Sequence, residues 1–245
     1  MFTLYTIPAS HYCEKARWVL EYLKIPFIES KWVPVFHYLN TLQLGVGRTV
    51  PILKIPQPMD PAQEIVDGSS DRPTSNIGNN SMIIPDSCAI TEFLAKHGKS
   101  QALYGVSSAD ELGKCKAREL EVFFGTKLGP ATRRVAYYIL LLDPVLTANV
   151  LTSEVGSIQQ YLYKLFSFMI VLFLKKGLSI NEASYLRSLA RVKEIFQQVD
   201  QMLLVDDDEP SSTATISVSV KDPDGAVSKR KAKEFLVGNR LTMAE

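Results

Sequence analysis

The stretch "FTLYTIPASHYCEKARWVLEYLKIPFIES", residues 2–30, constrains the fold more than any other part of the chain. Its first residues alternate and are rich in strand formers, so they predict a strand that Pro8 breaks. Ser10 then stands as the N-cap of a helix in which Tyr12, Ala16, Val19, Leu20 and Leu23 recur at helical spacing. Pro26 ends that helix, and "FIES" supplies a second short strand. After a helical or irregular piece around "VFHYLNTLQL", Gly45 and Gly47 lead into "TVPILKI". Pro51 inside this strand-like run argues for an edge, a bulge or a special peptide bond. "SMIIPDS" predicts a further strand and turn, and "SCAITEFLAKHG" a helix closed by Gly98. Strand, helix, strand, connection, two strands and helix make a small α/β layer domain.

Past Tyr104 the character changes. Ser108 with Glu111, and Ser179 with Glu182, form S-x-x-E capping boxes ahead of helical sequence, and "SYLRSLARVKEIFQQVDQMLL" is long and amphipathic. The expected division is residues 1–102 and a largely helical 106–245. Two segments stand outside this plan. Residues 55–80, rich in Pro, Gly, Asp and Asn, predict a surface loop. Residues 206–234 open with an acidic run and contain "KRKAK"; they read as a solvated, mobile insertion, with "TATISVSV" the candidate arm of a hairpin.

"YLYKLFSFMIVLFLKKG" invites comparison with a membrane span. Its uninterrupted apolar part, Leu165–Leu174, falls short of the roughly 20 residues a bilayer requires, and Lys164, Lys175 and Lys176 flank it. It predicts a buried core helix. A net charge of +1 gives no electrostatic case for nucleic acid or an acidic membrane surface. Three widely spaced cysteines fit a reducing compartment, and "MFTLYTIPAS" lacks a signal-peptide pattern, so a cytoplasmic setting is expected. His11, His37 and His97 show no metal-ligand spacing, and "QLGVGRT" lacks the context of a nucleotide-binding glycine loop. Lys15 and Arg17 read as an exposed helix face.

The blocks "TLYTIPASHYCEKARWVLEYLKIPF", "GRTVPILK" and "IPDSCAITEFL", in this order and spacing, resemble the soluble glutathione transferases. The "SHYCEKARW" form is most similar to bacterial and cyanobacterial-type members of the serine type. The resemblance implies a thioredoxin-like N-terminal domain followed by an all-α domain. It implies that Ser10 stabilises the glutathione thiolate and that Pro51 is the family's cis-proline, which presents the Val50 backbone to the peptide. It also implies that Asp86 and Ser87 hold the γ-glutamyl end. The chemistry is sensible: a hydroxyl at a helix N-terminus can donate to a thiolate, and the helix dipole favours negative charge. A carboxylate suits an ammonium group. Each of Ser10, Asp86 and Ser87 equally suits a helix cap. Thr6 stands where tyrosine-type members place their phenol. Cys13 matches the second position of the S-x-x-C motif; a thiol near a helix N-terminus can be acidified, so a redox role is the alternative to packing. Tyr104, Phe123, Phe124, Tyr137 and Tyr138 are candidate walls of an electrophile pocket or simply core.

The expected activity is conjugation of glutathione, as co-substrate, to a small hydrophobic electrophile without a metal or prosthetic group. By resemblance the partner is a second copy in a homodimer. The alternatives are a non-catalytic binding protein on the same fold, and a thiol reductase using Cys13. The chain ends in "FLVGNRLTMAE", where Thr242 and Glu245 form another capping box. In the family a similar stretch opens a central helix of the second domain, so a C-terminally truncated, incomplete helical domain is expected.

Overall fold

The computed structural model describes residues 1–56, 81–96, 103, 111–204, 215–221 and 227–233. Strand β1 (Phe2–Thr6) runs parallel to β2 (Phe27–Lys31), with Phe2 opposite Phe27 and Thr6 opposite Lys31. Helix α1 (His11–Tyr22) makes the crossover that a parallel pair requires. Strand β3 (Ile52–Pro56) lies antiparallel to β1, and β4 (Ser81–Pro85) antiparallel to β3, giving the order β2-β1-β3-β4. Tyr5 faces Ile52, and Ile52 faces Pro85. This register has a functional consequence. The end of β1, the beginning of β3 and the end of β4 all meet at one end of the sheet.

The apolar period of α1 buries Cys13, Ala16, Val19 and Leu20, while β1 contributes buried Leu4. Helix α3 (Ser87–Leu94) packs against α1 and buries Ile90 and Leu94. Each such aliphatic side chain contributes roughly 1.5–3 kcal/mol when withdrawn from water. Helix α1 ends before Pro26 takes effect: Lys24, at φ 54°, lets Ile25 N–H reach Leu20 C=O at 2.9 Å. Helix α2 (His37–Gln43) ends in the same way on Gly45, whose φ of 66° favours glycine. Gly45 N–H donates to Leu42 C=O and Val46 N–H to Thr41 C=O, both at 3.1 Å. Val46 is thereby turned inward onto Ile52 and Ile83, with Tyr5, Leu44 and Val50 around them. That packing fixes the approach to Pro51.

The helical part comprises α4 (Glu111–Phe123), a π-helical turn (Phe124–Leu128), α5 (Gly129–Leu140), α6 (Pro144–Leu151), α7 (Ser157–Gly177) and α8 (Glu182–Leu203). The architecture is thus a thioredoxin-like α/β domain followed by a helical one. Two compact units are formed, Met1–His97 with Ile139–Leu178, and Gly98–Tyr138 with Ser179–Glu245. Within the first, Gln159 of α7 accepts from Val33 N–H at 2.9 Å and donates to Lys31 C=O at 3.3 Å, and Glu154 pairs with Lys31.

Several expectations need correction. Helix α7 is not a buried core helix: it buries Tyr163, Ile170 and Leu174 but exposes Leu165, Phe166, Phe168, Met169 and Leu172. Among the described residues it is the one helix long and apolar enough to cross a bilayer, by length and composition. Its two hydrogen bonds to the backbone beside β2 tie it to the folded sheet. The cap of α8 is Asn181, not Ser179. Ser179 adopts φ 53° to leave α7, whereas Asn181 is extended and exchanges hydrogen bonds with Ser184 in a capping box. Residues 206–234 contain a two-stranded hairpin, β5 (Thr215–Lys221) with β6 (Val227–Lys233), so "KRKAK" lies in a paired strand. Residues 57–80, Tyr104, Ser108 and the terminal "FLVGNRLTMAE" box lie outside the described residues.

Candidate functional site

Three short segments converge at the end of the sheet that the register defines. Ser10 is the N-cap of α1, extended at φ −105° and ψ 114°, and its backbone C=O accepts the first helical bond from Glu14 N–H at 2.8 Å. Its Oγ accepts a long bond from Cys13 N–H at 3.4 Å. The Val50–Pro51 peptide is cis. Neither the N–H nor the C=O of Val50 has a hydrogen-bond partner among the described residues. Pro51 C=O accepts from Asp86 N–H at 2.9 Å, which locks the start of β3 to the turn after β4.

Asp86 occupies φ 72° and ψ 144°, a conformation that L side chains rarely adopt and that is held here by its surroundings. Its Oδ1 accepts from Cys88 N–H at 2.7 Å and so caps α3. Ser87 is 4% exposed, and its hydroxyl has no partner among the described residues. The N-termini of α1 and α3 therefore open at the same end of the sheet, where their dipoles favour an anion.

The two thiols near the site differ. Cys13 is fully buried, and burial pushes its thiol up, with the Ser10 hydroxyl and Arg17 opposing that shift. Cys88 is half-buried and its Sγ lies 3.7 Å from Lys15 Nζ. Thr6 is fully buried, with its hydroxyl donating to Glu29 at 2.6 Å, while Tyr5 packs with the Ile52 cluster on the other face. Phe123 and Phe124 meet edge to face, and Tyr138 stacks on Tyr185 at 4.4 Å. Among the described residues no group of three His, Cys, Asp or Glu side chains stands close enough to hold a metal.

Sequence reasoning overlooked one cluster beside this site. Arg17 is not a solvated residue: it grips Glu29 with two bonds, Nε to Oε2 at 3.1 Å and a terminal nitrogen to Oε1 at 2.6 Å. Burial alone would raise the Glu29 carboxyl; the bonds from Arg17 and Thr6 outweigh it and hold the group below the usual range. A lone glutamate in the half-buried strand "FIES" was the available signal. His37 forms a second support. Its Nδ1 accepts from Val35 N–H at 3.2 Å, so its Nε2 carries the proton and donates to Arg48 C=O at 3.3 Å. This holds the strained Val35, at φ 80°, and anchors the loop that precedes Val50.

Comparison with known proteins adds one informative match. No curated protein matches the chain. Solved structures similar to it include one described as a possible glutathione S-transferase from Rhodopseudomonas palustris, at 14% identity and TM-score 0.45, covering 100% of this chain and 72% of that one. Another is a glutathione S-transferase from Methylobacillus flagellatus with glutathione bound, at 15% identity and TM-score 0.40, covering 82% and 69%. A third is glutaredoxin 2 from Salmonella typhimurium in complex with glutathione, at 14% identity and TM-score 0.40, covering 82% and 69%. The match at the level of sequence is that of residues 4–98, which contain every site segment described above, to the family model "Glutathione S-transferase, N-terminal domain".

Proposed function

We propose that the sheet end formed by Ser10, Val50–Pro51 and Asp86–Ser87 binds glutathione, within a glutathione-binding domain spanning residues 1–102. The observation that carries this reading is the set of open polar groups at that end. The Val50 N–H and C=O and the Ser87 hydroxyl have no partners among the described residues, inside a segment that matches the family model. These groups are within reach of solvent and free to bond a peptide ligand, which would replace water there. Val50 would pair with the cysteinyl part, Asp86 would meet the ammonium of the γ-glutamyl end, and Ser87 with the α3 amides would meet its carboxylate.

The activity proposed is addition of the glutathione thiolate to a small hydrophobic electrophile held by the helical domain, residues 106–245. A thiol with a pKa near 8.5 is mostly protonated at pH 7. A hydrogen bond from the Ser10 hydroxyl to the thiolate lowers that pKa and raises the reactive fraction. Glutathione is the co-substrate, and no metal or prosthetic group is required. A homodimer and a cytoplasmic setting complete the proposal. Cys13 is not favoured as a redox thiol, because its burial opposes the thiolate.

A second reading, a non-catalytic glutathione-binding protein, is favoured by a specific observation: Ser10 Oγ and Asp86 Oδ1 both serve as helix caps. Conjugation to a generic electrophile, with and without glutathione, separates the two. Retention on immobilised glutathione with no conjugation establishes the second reading; neither retention nor conjugation contradicts both.

A further inference from the structure

The second compact unit holds a basic cavity of about 510 Å3 between the π-helical turn with α5 on one side and α8 on the other. Lys127, Arg134, Arg187 and Arg191 line it, and among the described residues no acidic side chain does. Arg191 pairs outward with Glu194 at 3.0 Å. Lys127, Arg134 and Arg187 have neither an ion-pair nor a hydrogen-bond partner among the described residues. Arg187 and Arg191 are one helical turn apart on α8, which sets their two positive charges side by side. The hydroxyls in the wall differ from one another. Ser184 is spent on the Asn181 cap, whereas Ser188, 6% exposed, has no hydrogen-bond partner among the described residues. The Ser188 hydroxyl is thus left free in the wall beside three unpaired cations, available to a ligand.

We propose that this cavity binds a small ligand through a di- or triphosphate group. Its volume falls in the range of small-molecule sites. Three guanidinium forks and an ammonium match the closely spaced charges of a phosphate chain better than the single charges of separate carboxylates. Among the described residues no aromatic side chain lines the wall, so recognition lies in the phosphates rather than in a stacked base. The site shares no residue with the glutathione reading and stands without it.

Calorimetric titration of the full chain with inorganic tripolyphosphate at physiological salt tests the assignment. Saturable one-to-one binding is expected, with a Kd below about 1 mM, where the free energy is near −4 kcal/mol. Arg187→Gln, at an exposed position and with its fold checked by circular dichroism, should weaken it at least tenfold, and Arg134→Gln similarly. Lys193→Gln, on α8 but outside the cavity, should change it less than twofold. Absence of saturable binding, equal weakening by Lys193→Gln, or citrate binding as tightly as tripolyphosphate would each overturn the proposal.

Discussion

Two polar clusters flank the C-terminal end of β1, and they are built in opposite ways. In the Thr6–Glu29–Arg17 cluster the carboxylate receives a hydroxyl bond and a two-pronged guanidinium bond, with Lys31 nearby at 3.5 Å. At the same end of the sheet, the Val50 N–H and C=O and the Ser87 hydroxyl have no partner among the described residues. A closed cluster ties α1 to β2 and needs nothing further. An open one, held by the Asp86–Pro51 bond, the His37 clamp and the closure of α2, has the form expected of the glutathione site proposed above. The contrast predicts that damage to the first lowers stability, and damage to the second lowers binding or rate.

The largest effect should come from Arg17→Ala, which leaves Glu29 partly buried without its main partner. We expect a loss of about 2–3 kcal/mol in urea denaturation. Because the folded carboxyl lies below its ordinary 4.5, that stabilisation is present above pH 4.5 and is lost as pH falls through the depressed folded value. A difference between variant and parent that grew on acidification would contradict the assignment.

Ser10→Ala comes next. It should reduce conjugation at least tenfold, about 1.4 kcal/mol of transition-state stabilisation, while Cys13→Ala leaves most of the rate. Greater damage from the cysteine change would replace the serine reading with a redox one.

Asp86→Asn sharpens the comparison further. The amide keeps an oxygen for Cys88 N–H and so preserves the cap, yet it removes the charge. The KM for glutathione should rise severalfold with a smaller fall in kcat, because the contact would be similar in ground and transition states. An unchanged KM would leave Asp86 as a cap alone.

The smallest effect is a slope with pH. Burial pushes the His37 imidazole below its ordinary 6.5, and the Arg48 carbonyl only partly offsets this. The folded protein keeps the ring neutral, so this stability is full above pH 6.5 and declines as pH falls toward the folded value. The decline cannot exceed about 1.4 kcal/mol per pH unit. His37→Asn, which keeps an acceptor near the Nδ1 position, should flatten that slope in urea midpoints measured from pH 7.5 to 5.5.

Much of the first domain was legible because its signals are local. Alternation marked β1, helical spacing marked α1, and Ser10 caps it as its position demanded. The closed cluster was not legible, since Arg17 and Glu29 meet only when α1 crosses back over the sheet, and each alone resembles a solvated charge. The exposure of α7 was hidden for a different reason: a continuous apolar run looks the same whether or not something covers it. The S-x-x-E pattern at Ser179 misled because the same few residues must first close α7, which takes Ser179 into the left-handed region and passes the cap to Asn181. The second arm of the hairpin was masked by its basic residues, "VSKRKAK", although its partner alternated clearly.

Glutathione titrated calorimetrically into the parent chain and into Ser87→Ala tests the central claim most directly. The open cluster predicts saturable binding by the parent and at least a threefold loss on removing that one hydroxyl, with the same urea midpoint in both. No binding by a folded parent, or equal affinity in the two proteins, would contradict it.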